Sequence, residues 1–273
     1  MRTLCRVLQV SPSGYYAWRG RPLITPQVRA NAALRRRLCV VHAASHGTYG
    51  SPRLQRALRA EGTRVGRNRI IRLMRVDHLE GRPRKRFRVT TTPDPTAVAR
   101  PNILQRRFAV PAPNRAWAAD ITAVSTREGW LYVAVVLDLY SRRVVGWAVR
   151  PTLASDVALA ALQLALGRRV PPPGLLHHSD RGTQYTSVVY QRLLQQHGLR
   201  CSRSRPGNCY DNAPVESFFH TLKNEIGERS WPSRRAATQA LAEYIERFYN
   251  RERLHSTLNY RSPARFEADT VAV

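Results

Sequence analysis

HHSDRGTQYTS at residues 177–187 and GNCYDNAPVESFFHTLKNE at residues 207–225 each place one carboxylate beside an apolar element. Asp180 follows the apolar run 174–176, which is typical of the end of a strand. Glu216 borders a helical stripe with apolar residues at i, i+3, i+4, i+7 and i+11, namely Val215, Phe218, Phe219, Leu222 and Ile226. A strand-end carboxylate and one beside a core-facing stripe can meet at a sheet edge. The two segments therefore suggest a metal-assisted site.

Lys223 lies seven residues after Glu216. At about 100° per residue, the two side chains fall on the same side of a helix. Lys223 is therefore the best candidate for holding a phosphate near such a site.

The pattern from residue 115 onward indicates an α/β domain. The predicted element order is β-β-β-α-β-α-β-α, which is the ribonuclease H-like arrangement of a mixed five-stranded sheet with flanking helices. Strands are predicted at 117–124, 130–137, 142–149, 174–178 and 199–202, and helices at 153–166, 183–197 and 211–226.

A third carboxylate, Asp120, lies inside the apolar strand WAADITAV at 117–124. A carboxylate in a hydrophobic strand is costly unless it is paired or binds a cation. Three converging carboxylates repel one another unless a hard cation lies between them. Asp120, Asp180 and Glu216 are therefore the predicted catalytic and metal-binding residues. The expected cofactor is Mg²⁺, for which Mn²⁺ can substitute, with two ions serving phosphodiester chemistry.

The net charge of +27 over 273 residues points to a polyanionic partner. Residues 1–110 hold 24 Lys and Arg against 4 Asp and Glu, a net of +20, and the rest of the chain carries the remaining +7. This distribution favours a DNA-binding front half joined to a catalytic back half. The four cysteines form no CxxC pair and no segment resembles a membrane span, so we expect a cytoplasmic protein without a membrane partner.

The basic front half has helix-turn-helix character, as a small all-α region preceding the catalytic core. After a basic helix at 25–44, two short helices flank a Gly-containing turn, and the second carries arginines at 67, 69, 72 and 75. We expect Arg67, Arg69, Arg72 and Arg75 to contact DNA. An ordinary solvated helical hairpin is the alternative. Nearer the N-terminus, a short helix is predicted to stop near Ser11-Pro12, followed by an aromatic-rich turn.

Four segments follow from these changes in composition. Residues 1–80 form the helical N-terminal region, and 81–113 form a basic, Pro-rich linker in which Lys85 is expected to lie along phosphates. Residues 114–228 form the catalytic core and 229–273 a C-terminal helical extension. The sequence leaves open whether that extension packs on the core or contacts DNA.

Three segments, WAADIT, HHSDRGTQYTS and DNAPVESFFHTLKNE, resemble the signature blocks of the DDE transposases of bacterial insertion sequences, specifically the OrfB product of IS-three-type elements. The acidic triad of that family maps onto Asp120, Asp180 and Glu216, with 35 residues between the last two, and its basic residue maps onto Lys223. HGTYGSPRL and FYNRERLHSTLNYRSPARF also resemble family segments. Ala119 departs from the threonine that often precedes the first aspartate.

The resemblance implies a retroviral integrase-like core that cleaves the 3′ ends of the element and transfers them to target DNA. It also implies a homo-oligomer on DNA in the bacterial cytoplasm, associated with the nucleoid, and an upstream-frame OrfA product as fusion or partner. Two alternatives remain open. One is a non-catalytic DNA-binding protein that occupies element ends, and the other is a ribonuclease H-like nuclease that cuts without joining.

Overall fold

The computed structural model describes residues 1–20, 25–82, 101–206, 208–227 and 230–271. The chain divides into two compact units, Met1–Arg82 and Pro83–Val273. Lys85 and the linker residues 83–100 lie outside the described residues. Within the part that is described, no helix combines the length and apolar composition that a bilayer crossing requires.

The described residues of the first unit form helices joined by short connections. Its helices are α1 (Arg2–Val7), α2 (Pro12–Arg19), α3 (Pro26–Ala44), α4 (Ser51–Ala60) and α5 (Arg67–Val76). Helices α3, α4 and α5 pack on one another through buried side chains at helical spacing, namely Leu34, Leu38, Val41, Leu54, Leu58, Ile70, Leu73 and Met74. The two helices expected to form the helix-turn-helix are therefore present, joined by residues 61–66.

One boundary in this unit differs from expectation. The predicted aromatic turn after Pro12 is wrong, because α2 begins there: the Ser11 hydroxyl accepts a hydrogen bond from the Gly14 N–H at 2.9 Å, and Pro12 occupies the first turn. Ser-Pro thus starts a second helix rather than only ending the first. In α4 the N-cap is Gly50, and Ser51 is already helical.

The second unit contains the predicted mixed five-stranded sheet. Its strands are β1 (Ala116–Thr126), β2 (Gly129–Asp138), β3 (Val144–Arg150), β4 (Leu176–Ser179) and β5 (Arg200–Arg203), in the order β3-β2-β1-β4-β5. The first three form an antiparallel meander, and β4 runs parallel to both β1 and β5. The expected fold class is confirmed.

In the described part of this unit, six α-helices accompany the sheet. They are α6 (Ser155–Arg169), α7 (Thr183–Thr186), α8 (Val188–Gln196), α9 (Ala213–Ile226), α10 (Arg234–Ala242) and α11 (Pro263–Val271). The single helix predicted at 183–197 is wrong, because Ser187 adopts an extended conformation and its hydroxyl caps the start of α8. A 3₁₀ turn, Cys209–Asn212, precedes α9, and a π-helical segment, Glu243–Glu252, continues α10.

The alternation of side chains along β1 assigns a helix layer to each face of the sheet. Trp117 and Ala119 point into a buried cluster with Val157, Leu162 and the rest of the inner face of α6. Asp120 points to the opposite face, where α9 packs against β1. The carboxylate therefore belongs to the same layer as the helix that carries Glu216.

Segments on both sides of the predicted core pack against it. The backbone N–H groups of Ile103 and Leu104 donate to the Ser202 hydroxyl on β5 at 3.0 and 3.1 Å. On the C-terminal side, Arg253 forms a buried ion pair with Glu225 of α9 at 2.8 Å. The described part of the C-terminal extension thus packs on the core.

Candidate active site

Asp120 and Asp180 lie at equivalent positions on neighbouring parallel strands. Ala119 pairs with Ser179 in the last step of the β1–β4 ladder, so each aspartate directly follows that pair. Neighbouring strands lie about 4.8 Å apart. The side chain of Asp120 accepts the Ile121 N–H at 2.8 Å, and that of Asp180 accepts the Gly182 N–H at 3.0 Å. The two carboxylates therefore share one edge of the sheet.

Glu216 is brought to this edge by the start of α9. Asn212, the N-cap of α9, donates its side-chain N–H to the carbonyl oxygen of Ala119 at 3.1 Å. That carbonyl belongs to the residue before Asp120. Glu216 follows in the first turn of α9, where the helix dipole favours a negative charge.

The three carboxylates affect one another electrostatically. Burial raises the pKa of Asp120 well above its ordinary value, and the charges of Asp180 and Glu216 raise it further. Burial likewise raises the pKa of Asp180, against the effect of the Gly182 N–H. Burial and the charge of Asp180 raise the pKa of Glu216 to about 7. Concentrated negative charge of this kind is what a bound cation offsets.

Lys223 lies near the same group. Its charge offsets part of the burial-driven rise in the pKa of Asp120. The side chain is half-buried on α9, seven residues from Glu216. It thus lies near what we call the acidic edge, the sheet edge of Asp120 and Asp180 with the adjoining Glu216.

The described residues do not include three His, Cys, Asp or Glu side chains in the arrangement of a formed metal site. The association of the three carboxylates rests on the strand register, the Asn212 contact and their mutual electrostatic effect. As a donor set, three carboxylates suit a hard, oxygen-liganded cation.

A buried acidic residue outside the predicted triad supports the segment before α9. Asp211 is fully buried and accepts hydrogen bonds from the Arg205 guanidinium and backbone N–H, from Arg106 and from Asn102, all between 2.8 and 3.0 Å. The Arg205 hydrogen bond is the main reason that the pKa of Asp211 lies far below its usual range. We call Asp211, Arg205, Arg106 and Asn102 the Asp211 cluster.

Two histidines beside Asp180 have structural hydrogen bonds. His178 contacts the Ser202 and Ser204 hydroxyls at 2.9 and 3.2 Å, and His177 contacts the Tyr190 hydroxyl at 3.0 Å. Burial lowers the pKa of His177 to about 3 and that of His178 to about 4. Both imidazoles are therefore neutral at physiological pH and act as part of the core.

Tyr185 also lies behind the acidic edge. Its hydroxyl is buried without a hydrogen-bond partner among the described residues. Burial raises its pKa well above the ordinary value, and the charges of Asp120 and Asp180 add to the rise. The sequence motif did not indicate that this hydroxyl lies near the carboxylates, because a tyrosine in such a segment cannot be distinguished from an ordinary core tyrosine.

The arginines of α5 differ in their surroundings. Arg67, Arg72 and Arg75 are exposed, although Arg67 Nε lies 3.4 Å from the Ser51 hydroxyl. Arg69 is half-buried, and its guanidinium donates to the Asn31 side chain at 2.8 and 3.0 Å. Arg69 thus joins α5 to α3, and the other three present charge to solvent.

Comparison with known proteins agrees with this architecture. Two models described as integrase core domain match residues 110–209 and 197–263, and one described as HTH-like domain matches residues 29–87. The fold is also similar to a chain in the structure of the simian T-cell lymphotropic virus intasome in complex with PP2A regulatory subunit B56 gamma. That likeness has a TM-score of 0.50 at 18% identity and covers 84% of this chain and 74% of the other.

Full-length relatives identify the family. The chain is 43% identical over 265 residues to the insertion element IS600 uncharacterized 31 kDa protein of Shigella sonnei, covering 96% of this chain and 97% of the relative. It is 39% identical over 274 residues to transposase InsF for insertion sequence IS3A of Escherichia coli (strain K12), covering 100% of this chain and 95% of the relative. The resemblance seen in the motifs is confirmed, and the chain belongs to the IS3 family of insertion-sequence transposases.

Proposed function

We propose that this chain catalyses metal-dependent 3′-end cleavage of DNA and strand transfer at the ends of a bacterial insertion sequence. The observations that carry the proposal are the β1–β4 register and the Asn212 contact, which support a shared location for the three carboxylates. Asp120 and Asp180 follow the last pair of the β1–β4 ladder, and Asn212 attaches the helix of Glu216 to the same place. Family membership supports the same reaction, that of a polynucleotidyl transferase.

Asp120, Asp180 and Glu216 are the residues that would hold the metal, which we infer to be two Mg²⁺ ions, with Mn²⁺ as a substitute. Their fit rests on donor chemistry, because carboxylates that raise one another's pKa form a site where a divalent cation is favourable. When bound, such ions supply Lewis acidity to the attacking and leaving oxygens of a phosphodiester.

The remaining residues have binding roles in this proposal. Lys223, beside the acidic edge, holds a phosphate of the DNA end, because its ammonium group is a compact point charge. Arg67, Arg72 and Arg75 on α5 contact DNA, since they are exposed on the second helix of a helix-turn-helix. Arg69 and Lys85 complete the proposed set, with Arg69 also bonded to Asn31.

We further propose a division of labour along the chain. Residues 1–80 bind DNA, 81–113 connect, 114–228 catalyse and 229–273 support the core. The proposed assembly is a homo-oligomer on DNA, with the upstream-frame OrfA product as fusion or partner, at the nucleoid in the cytoplasm. The excess of positive charge before residue 110 supports this order of roles.

The test uses the purified chain, labelled DNA that carries the end of the element, and Mg²⁺ or Mn²⁺. We expect 3′-end cleavage and strand-transfer products, both lost in Asp180→Asn. The matched control is Asp156→Asn, which changes an exposed acid on α6 and is expected to retain activity. Cleavage without joining would favour a nuclease. DNA binding with no metal-dependent product, unchanged by Asp180→Asn, would contradict a catalytic role.

A further inference from the structure

Tyr210 is an exposed aromatic residue in the 3₁₀ turn that leads into α9. It is 69% exposed, whereas the next two residues, Asp211 and Asn212, are 0% and 3% exposed. A single exposed aromatic residue is common on protein surfaces. What distinguishes Tyr210 is that its ring projects from a backbone fixed on its C-terminal side by two buried, hydrogen-bonded side chains.

Neighbouring polar groups bond the backbone of Tyr210 and place a guanidinium over its ring. The Tyr210 N–H donates to Asn208 Oδ1 at 3.2 Å, and Arg106 Nη2 donates to the same oxygen at 2.9 Å. The Arg106 guanidinium lies 5.6 Å from the centroid of the Tyr210 ring, within cation–π range. Because more than two-thirds of the residue is exposed, the guanidinium covers only part of the ring.

Arg106 occupies this position despite an unfavourable backbone. Its φ angle is +59° and that of Gln105 is +48°. Residues other than glycine rarely adopt this left-handed backbone conformation. The Asp211 cluster holds it there, through the 2.8 Å bond from Arg106 Nε to Asp211. Two consecutive residues in this conformation, the second of them held by a buried carboxylate, indicate that the position of the guanidinium matters.

The ring lies close along the chain to the acidic edge. Asn212, which contacts the carbonyl of Ala119, is two residues after Tyr210, so their Cα atoms are at most about 7 Å apart. Glu216 follows six residues after Tyr210. An exposed ring and an arginine are therefore fixed just before the start of the helix that carries Glu216.

We propose that Tyr210 is a base-stacking site for an unpaired nucleobase of the DNA end that is processed at the acidic edge. This inference rests on the proposed function, because it assumes that DNA reaches the three carboxylates. A planar ring with a guanidinium over it and a face exposed to solvent matches the stacking platforms that bind single-stranded nucleic acid. Since bases inside a duplex already stack on each other, the ring can act only on a base released from its pair.

Two DNA substrates separate stacking from general affinity. One carries the element end with its terminal nucleotides unpaired and 2-aminopurine among them, and the other is the same end fully paired. Binding by the full-length chain is measured with Ca²⁺ in place of Mg²⁺, together with 2-aminopurine fluorescence. The variants are Tyr210→Ala, Tyr210→Phe, and Trp130→Ala as the control, since Trp130 is a 56% exposed aromatic residue in the same unit.

We expect Tyr210→Ala to weaken binding of the unpaired end by about 5- to 100-fold and to remove the change in 2-aminopurine fluorescence, a size typical of one lost base stack. Tyr210→Phe and Trp130→Ala should leave both the affinity and the fluorescence change as in wild type. Tyr210→Ala should weaken binding of the fully paired end much less than binding of the unpaired end. The melting temperature of each variant checks that the fold is retained.

Three results would overturn the stacking site. They are wild-type affinity and fluorescence in Tyr210→Ala, equal losses for paired and unpaired DNA, or a loss in Tyr210→Phe as large as in Tyr210→Ala. If wild-type protein gives no metal-dependent product while the Tyr210→Ala effect on unpaired DNA persists, the catalytic proposal fails, and Tyr210 remains a stacking site without a role in processing. If Asp180→Asn abolishes products but Tyr210→Ala changes neither readout, only the stacking site fails.

Discussion

The side-chain amide of Asn212 donates a 3.1 Å hydrogen bond to the carbonyl oxygen of Ala119, across 93 positions of the chain. Ala119 precedes Asp120, and Asn212 is the N-cap of the helix that carries Glu216. The contact therefore couples the position of the third carboxylate to that of the first. The parallel ladder between β1 and β4 ends at the pair of Ala119 and Ser179. Asn212 forms its hydrogen bond to β1 at the point where this ladder ends.

Removing this contact should disturb the site more than the fold. For Asn212→Ala we expect a loss of roughly 1–2 kcal/mol in the free energy of unfolding, the usual cost of one buried hydrogen bond. We expect a fall of about 10- to 100-fold in the cleavage rate, because small displacements of catalytic groups are costly. Urea unfolding and single-turnover cleavage assays measure the two effects.

The control is Asn224→Ala, at the other end of the same helix, where the side chain contacts His220 at 3.1 Å. It should leave the cleavage rate within about twofold of wild type, since this side chain bonds a residue of its own helix. Equal losses of rate in both variants would show that Asn212 acts through general helix stability and not through placement of Glu216.

Local patterns were enough to predict the sheet and the candidate carboxylates. The apolar strand around Asp120 and the helical stripe beside Glu216 have strong periodicity, and buried faces require such periodicity. The order of elements then fixed which strand ends are neighbours. Similarly, the exposed and inward-facing positions of α5 follow from its 3.6-residue repeat, although Arg69 is used to bond Asn31.

Contacts between distant polar residues could not be predicted in this way. The hydrogen bonds from Asn102 and Arg106 to Asp211 span more than 100 positions, and no local pattern encodes their partners. The break at Ser187 was missed because an apolar period continues through it, while one hydroxyl cap decides the boundary. The sequence thus predicted which residues belong to the acidic edge, but not the long-range contacts that hold the neighbouring segments in place.

Gly146 on β3 allows close approach of α6. A Cβ added there would lie 2.2 Å from the carbonyl oxygen of Ala161 and 2.7 Å from Ala165. We expect Gly146→Ala to destabilise the protein by about 1–3 kcal/mol through overpacking. Gly167, in α6, has no atom within 4 Å of an added Cβ, so Gly167→Ala should stabilise by up to about 1 kcal/mol. The melting temperature should fall in Gly146→Ala and rise in Gly167→Ala. A shift of both melting temperatures in the same direction would contradict the packing of α6 on β3.

The ion pair between Glu225 and Arg253 joins α9 to the C-terminal segment. The side chains are 6% and 5% exposed, and the Tyr244 hydroxyl donates to the same carboxylate at 2.8 Å. Arg253→Met leaves the buried carboxylate of Glu225 without its cation. We therefore expect the free energy of unfolding to fall by about 3–5 kcal/mol.

The exposed pair of Arg247 and Glu243 is the control, with side chains 69% and 57% exposed. Arg247→Met should cost no more than about 1 kcal/mol. Denaturant unfolding compares them. If the two variants lost similar free energy, the C-terminal segment would not depend on the buried pair.

The raised pKa of Glu216 predicts a pH dependence of stability in metal-free protein. Its folded pKa of about 7 exceeds the ordinary 4.5, so between these values the folded state binds more protons than the unfolded state. The free energy of unfolding therefore falls as pH rises from 4.5 to 7. Glu216→Gln should remove this contribution and gain stability relative to wild type by roughly 1–2 kcal/mol at about pH 8, allowing for partial exposure.

Melting temperatures at about pH 5 and about pH 8, in the presence of a chelator, measure the effect. The exposed acid Asp156 supplies the control, because Asp156→Asn should show no pH-dependent difference from wild type. A Glu216→Gln variant that parallels wild type at both pH values would contradict the raised pKa. Adding Mg²⁺ should reverse the order at the higher pH, since a cation that binds only the folded state stabilises it.

The arginines of α5 should contribute to DNA affinity through bonds to phosphates. Arg72 and Arg75 are both exposed, and replacing them with Gln removes two positive charges without touching the buried face of the helix. If both bind phosphates, the slope of log affinity against log salt should become shallower by about 1.8, or about 0.9 for each phosphate that is no longer neutralised. Filter binding or anisotropy between low and moderate salt measures that slope.

The control is Arg247→Gln, which replaces an exposed arginine of the second unit that pairs with Glu243. It should leave the salt slope unchanged. An unaltered slope in the double variant would show that α4 and α5 form an ordinary solvated helical hairpin. The charge that binds DNA would then lie elsewhere in the chain.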